Sequence, residues 1–235
     1  KNYDIICNAI GVKAENTVWT RQVHTDNILR VTADDRGKGL FKERQEDGYD
    51  AIMTNEKDVV LVGFSADCVL IYFYDKVKNA IAIAHSGWRG TVLGIGGKVV
   101  NRMKEEFGSN PQDIVCGIAP AIGVDHFQVD IPVVTAFRQA YDWADKFIYP
   151  DKNMAERWFI DLHSINEEIL VNAGIKRENI ENASTINIQI GVRTSEFDNY
   201  EYIDWGEFVV YDKEEKIDTR SLKLYLYDHM IDSHI

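Results

Sequence analysis

Two rhythms of apolar positions run along the chain. The stretches "VVLVGF" (59–64), "VLIYFY" (69–74) and "AIAIA" (80–84) are apolar, mostly β-favouring and bounded by turn formers such as "DKVKN", a pattern that predicts central strands. From Thr91 onward Val92, Ile95, Val99, Met103 and Phe107 recur at spacings of three and four, which predicts one helix with Thr91 as its N-cap and Gly108 at its end. "DIVCGIA" (113–119) reads as a further strand, "PVVTAFRQAYDWA" (132–144) as a helix with proline in its first turn, and "DLHSINEEILVNAG" (161–174) as a helix closed by Gly174. "TINIQIGV" (185–192) alternates as a strand does. Strands and helices interleave without a repeat or a Pro/Gly/Ser-rich linker, so the expectation is one α/β domain over residues 1–235, with mixed sheets layered between helices.

Composition narrows the function classes. With 235 residues, 45% of them hydrophobic, the chain can bury a sizeable core. Its net charge of −12 repels polyanions, which argues against a nucleic-acid partner. No uncharged apolar run reaches the roughly 18–20 residues of a membrane span, and "KNYDIICNAI" lacks the apolar centre of a signal peptide, so a cytoplasmic protein is expected. Cys7, Cys68 and Cys116 are odd in number and have no short pairing pattern, which points to reduced thiols. Cys7 and Cys116 fall in apolar segments and read as packed spectators.

Candidate chemistry sits at strand ends. His24 lies in "RQVHTDN" where a strand-like stretch meets a turn, Cys68 in the break Ser65-Ala66-Asp67-Cys68 between two apolar runs, and His85 at the end of "AIAIAH" before a glycine-flanked loop. Each residue alone reads rather as a hydrogen-bonded structural histidine or a small core thiol. Together, one thiol and two imidazoles match the ligand set of an open catalytic zinc site, with a fourth position left for water or substrate. Their spacings, 68 − 24 = 44 and 85 − 68 = 17, follow no short zinc signature and leave both readings open.

The blocks "WTRQVHTDNILRV", "DGYDAIMT", "ADCVLIYFYD", "AHSGWRGTVLGI" and "GIAPAIGVDHFQVD", in this order, resemble the successive signatures of the laccase-domain family, long labelled polyphenol oxidases and later recognised as zinc-dependent purine nucleoside phosphorylases. The resemblance covers residues 1–175 and implies that His24, Cys68 and His85 are the metal ligands. It departs at both ends. A strand and glycine-rich loop that precede the Gln-Val-His block in the family have no counterpart, and 193–235 diverges, leaving Arg193 and Arg220 as weak equivalents of an arginine block. His126 stands where many relatives have cysteine.

What the resemblance implies is a zinc enzyme, with Cu2+ as the alternative metal, that cleaves adenosine, inosine and methylthioadenosine with phosphate as acceptor and deaminates adenosine as a side activity. Arg89 is the candidate contact to phosphate, Trp88 to a purine face, and Gln22 to substrate or, with Asp67, to the ligands from behind. Arg89 reads equally as a surface residue, Trp88 as core packing, and Gln22 and Asp67 as turn residues. Copper oxidation of phenols is a second reading. It needs a further multi-histidine cluster for oxygen reduction, which six histidines in all do not easily furnish. A metal-free hydrolase with Cys68 as nucleophile and His85 or His24 as base is a third, and a binding module without turnover a fourth. The expected partners are small molecules, on a monomer or homodimer.

Overall fold

A computed structural model describes residues 2–44 and 47–183, together with the strand backbone at 187–190, 208–212 and 215–216. The chain divides into two compact units, Lys1–Ser184 and Thr185–Ile235. The first begins with a short helix, α1 (Asn2–Ala9), followed by β1 (Thr17–Trp19), β2 (Ile28–Arg30), β3 (Ala51–Thr54) and β4 (Val60–Val62). The longest β-favouring runs then form the antiparallel hairpin β5 (Val69–Asp75) and β6 (Ala80–Ser86). Its turn is held by the buried Asp75 carboxylate, which accepts from the backbone N–H of Val77 (2.8 Å) and Lys78 (3.0 Å), a local Asx geometry that turns favour.

The helical segments follow. α2 (Trp88–Val92) and α3 (Ile95–Phe107) lead to β7 (Ile114–Ile118), β8 (Gln128–Val129) and α4 (Ile131–Ala140). The unit closes with β9 (Ile148–Pro150), β10 (Trp158–Ile160), α5 (Leu162–Asn172) and β11 (Ile180–Asn182). A six-stranded mixed sheet runs in the order β11-β7-β5-β6-β3-β2, and β8, β10 and β9 form a small antiparallel sheet.

Period-two alternation assigns the faces of the large sheet. Val69, Ile71, Phe73, Ala82 and Ala84 point to one side, where α3 and α5 bury Ile95, Val99, Met103, Ile165 and Leu170 against them. Leu70, Ile52 and Ile83 point to the other, where Val18, Val59 and Leu61 cover them. Each fully buried aliphatic or aromatic side chain contributes about 1.5–3 kcal/mol by leaving water. The mixed α/β class stands, with helices on one face and the small β1–β4 sheet on the other.

Three elements differ in detail from their sequence reading. "VVLVGF" is not central: β4 pairs in parallel with β1 in a separate two-stranded sheet, and its residues are only half-buried. The place beside β6 in the main sheet belongs to β3, "AIMT", which lies between β6 and the edge strand β2, is buried at all four positions and is too short to announce itself. The helix expected from Thr91 is two helices, because Gly94 takes the left-handed conformation (φ +71) between α2 and α3. Thr91 lies inside α2 and is no cap. Gly108 (φ +66) and Gly174 (φ +98) do close their helices. α4 stops at Ala140, since Tyr141 turns extended.

In the second unit β12 (Asn187–Ile190), β13 (Phe208–Asp212) and β14 (Glu215–Lys216) form an antiparallel sheet, and β12 falls within the stretch read as a strand. Among the described residues no helix is long and apolar enough to cross a membrane.

Candidate metal centre

The site forms where the C-terminal end of β6 meets two loops. His85, only 5% exposed, ends the apolar run of β6 one step beyond the last β3–β6 pair, Ala51 with Ala84, and its backbone N–H donates to the Asp50 carbonyl at 2.6 Å. Next to it a buried polar net fixes the strand end. Ser86 donates to the Asn166 Oδ1 of α5 (2.8 Å), while Asn166 Nδ2 donates to Thr91 Oγ1 (3.1 Å) and to the Leu162 carbonyl (2.9 Å). The Tyr141 hydroxyl donates to the Thr91 carbonyl (2.6 Å). With its members paired, such a net holds one arrangement.

His24 comes from the loop between β1 and β2. It has φ +61, a conformation that costs a non-glycine residue energy and persists only where its surroundings impose it. Here the imposing group is Asp50, whose carboxylate accepts from the backbone N–H of Val23 (3.2 Å), His24 (2.9 Å) and Thr25 (2.7 Å) and from the Thr25 hydroxyl (2.9 Å). Cys68 closes the loop before β5. Gln22 braces that loop with both ends of its amide, donating to the Phe64 carbonyl and accepting from the Phe64 N–H, each at 2.7 Å. The Ser65 hydroxyl donates to the Cys68 carbonyl, and the Ile122 N–H donates to the Asp67 carbonyl (2.9 Å).

These three supports bring His24, Cys68 and His85 together. One ligating atom of each lies within 4.8 Å of the other two, with Cys68 Sγ 3.8 Å from His24 Nε2 and the two imidazole centroids 4.8 Å apart. His85 Nδ1–H donates to Asp50 (2.9 Å), which leaves Nε2 as the nitrogen that could hold a metal. A thiolate and two imidazoles this close suit a single soft or borderline metal ion. Among the described residues this is the group of three or more ligand-type side chains that can hold one.

The side chains of the cluster polarise one another. Burial opposes ionisation of Asp50, but the hydrogen bonds from His85, Thr25 and Val23 outweigh it and bring the carboxyl down to about 2. Burial likewise opposes charge on His85, and its hydrogen bonds to Asp50 and Cys68 overcome that and raise it to about 9.

The other candidates fall around this cluster. Arg89 is exposed, its guanidinium 4.3 Å from the Trp88 ring centroid, with no carboxylate partner among the described residues. Trp88 is half-buried and packs against the main core. The Gln22 amide is engaged with Phe64, and Asp67 is exposed. His126 lies exposed in the loop after β7. Cys7 and Cys116 are buried away from the cluster. Arg193 and Arg220 lie outside the described residues. Two residues had no role in the sequence reading. Asp50 opens the buried "AIMT" strand, and an acid heading an apolar run was its only signal. Phe64 is 45% exposed and stands edge-on to Trp19 of β1, which in turn meets Tyr3 of α1, so that an aromatic row ends on the loop that carries Cys68.

The chain is similar to several known proteins. The chain is 36% identical over 181 residues to the purine nucleoside phosphorylase YlmD of Bacillus subtilis, covering 77% of this chain and 64% of that protein, so it spans less than two thirds of that relative. It is 32% identical over 174 residues to adenosine deaminase RL5 of an unknown prokaryotic organism, covering 73% of this chain and 65% of that one. The crystal structure of Bacillus licheniformis YfiH superposes with a TM-score of 0.72 at 33% identity, over 77% of this chain and 67% of that one. Residues 1–194 match the family described as multi-copper polyphenol oxidoreductase laccase, and the chain belongs to that family.

Proposed function

We propose that this chain is a zinc-dependent purine nucleoside phosphorylase acting on adenosine, inosine and methylthioadenosine, with adenosine deaminase as a side activity. The observation that carries this reading is the convergence of His24, Cys68 and His85 at one strand end, a three-ligand set open to a fourth. The names of YlmD and RL5 support the substrate class. Zinc bound there supplies a Lewis acid that polarises a substrate atom or acidifies a water.

The chain's own groups do the rest. Asp50 keeps the His85 Nδ1 proton in place, and the buried strand end keeps water from one side of the cluster. The exposed Phe64 offers a flat apolar face to a purine, and Arg89, held over Trp88, offers a fixed positive charge to phosphate. In phosphorolysis the C1′–N9 bond breaks, a phosphate oxygen bonds to C1′, and the purine leaves with a proton. In deamination water replaces the 6-amino group, which departs as ammonia. Zinc is preferred to copper because oxygen-reducing copper chemistry needs a second, histidine-rich centre, and among the described residues one ligand group is found.

The test is incubation with adenosine, inosine and methylthioadenosine, with and without phosphate, followed by separation of products. Base release that rises with phosphate and yields a sugar 1-phosphate supports the reading. Equal release without phosphate, giving free sugar, makes the protein a nucleoside hydrolase. Arg89→Ala should weaken phosphate-dependent efficiency by about tenfold to a hundredfold, the worth of one charge-assisted contact, and leave deamination in place.

A further inference from the structure

We infer that Asp50 is a positioning residue that sets both histidines of the metal centre at once, one through its side chain and the other through its backbone. The inference rests on the reading of His24, Cys68 and His85 as metal ligands, and concerns how two of them are held. Toward His85, the carboxylate accepts the Nδ1 proton at 2.9 Å, selecting the tautomer whose Nε2 lone pair faces the cluster. Toward His24 it never touches the ring. It accepts three consecutive backbone N–H groups, Val23, His24 and Thr25, and so holds His24 in its left-handed conformation.

The loop is clasped around this acid at both ends as well. The Tyr49 N–H donates to the Arg21 carbonyl (2.9 Å), the Asp50 N–H to the Asn27 carbonyl (3.1 Å), and Asn27 Nδ2 to the Gly48 carbonyl (3.0 Å). Gly48 itself is needed for the approach, since a Cβ there would lie 2.1 Å from Val23 Cγ2. Opposite, just past the end of the β3–β6 ladder, the His85 backbone N–H donates to the Asp50 carbonyl (2.6 Å). One buried carboxylate thus measures the distance between a strand ligand and a loop ligand. A carboxamide of the same shape cannot do this, because its NH2 end would face N–H donors where the carboxylate presents oxygen.

The test uses the full chain and metal binding, not turnover. Zn2+ affinity is measured by competition with a chromophoric chelator, and the Co2+-loaded protein is followed by its visible d–d and thiolate charge-transfer bands. Asp50→Asn should bind Zn2+ about 10- to 100-fold more weakly, with altered Co2+ bands, and Asp50→Glu, which restores the charge but carries it one methylene out of place, should not rescue it. Wild-type affinity and bands in Asp50→Asn, or full rescue by Asp50→Glu, would overturn the inference. If Asp50→Asn does not fold, the wild type still decides: 15N-edited NMR of the zinc-loaded chain should show His85 protonated at Nδ1, and a proton on Nε2 overturns it. Failure of wild type to bind either ion would instead sink the metal reading on which the inference stands.

Discussion

The candidate metal centre joins two regions built in different ways. Its floor is the end of β6 with β5, β7, α3 and α5 beneath, where His85 is buried and Ser86, Thr91 and Asn166 satisfy one another. Its rim is the pair of loops carrying His24 and Cys68, exposed and half-exposed, with little apolar burial of their own. The floor is fixed by packing, so its residues answer mainly to stability. The rim is fixed by polar ties reaching across the chain, Asp50 for one loop and Gln22 for the other, so its residues answer mainly to ligand geometry. Substitutions on the two sides should therefore separate metal binding from folding.

The largest effect is expected on the rim. Cys68→Ala removes the only thiolate of the cluster, and the purified variant should lose most of its zinc, from close to one per chain, while its thermal unfolding without metal stays near that of the metal-free wild type. Elemental analysis with paired melting curves checks both halves. A metal-free but active wild type would return the site to a thiol dyad.

Gly87→Ala probes the boundary itself. Gly87 has φ −61 and ψ 173, which alanine adopts freely, so backbone strain is not at issue. An added Cβ would lie 2.8 Å from Cys68 Sγ and 3.1 Å from His24 Cδ2. Because Gly87 is anchored between β6 and α2, the two rim side chains must yield. We expect zinc affinity to fall by about 10- to 100-fold with the fold intact. An unchanged affinity would mean that the rim adapts, and that the contrast between floor and rim is weaker than drawn.

The same contrast explains what the sequence made legible. His24, Cys68 and His85 could be singled out because each borders an apolar or strand-like run, and runs show in one dimension. The hairpin β5–β6 and the glycine stops at Gly108 and Gly174 were visible for the same local reason. Asp50 was not, since its meaning lies in partners 25 to 27 residues before it and 35 after it. Nor was the kink at Gly94, where a helical spacing continues across a residue that breaks the backbone. That "VVLVGF" would leave the main sheet for "AIMT" is a matter of pairing, which composition alone does not encode.

A floor thiol should behave oppositely to the rim thiol. Cys116 is 4% exposed within β7, and burial pushes its thiol far above the ordinary range, so it is a neutral packing group. Cys116→Ser exchanges it for a hydroxyl with no polar partner provided, at a cost of about 1–3 kcal/mol in unfolding free energy. Zinc content and turnover should be unchanged. Denaturant titration beside kinetics distinguishes this from a site role, which loss of turnover in a stably folded variant would indicate.

The smallest effect concerns His163, on the floor at the start of α5. It is 3% exposed, and its Nε2–H donates to the Ala119 carbonyl at 3.2 Å. Burial lowers its pKa below the ordinary 6.5, against the opposing influence of that carbonyl and of Asp161. Above pH 6.5 the imidazole is neutral in both folded and unfolded chains, and its burial carries no proton penalty. As pH falls below 6.5 the unfolded chain takes up a proton that the folded chain refuses, so this contribution is lost with acidification. His163→Gln keeps an N–H donor for Ala119 but removes the titration. Its unfolding free energy should therefore decline less steeply than that of wild type between about pH 6.5 and 5, with the two curves parallel above pH 7. Taking the difference between the two curves cancels the titration of Asp50 and His85, which both proteins share. Parallel curves throughout would mean that His163 takes its proton on the floor as easily as in water, and that the burial drawn for this region does not reach it.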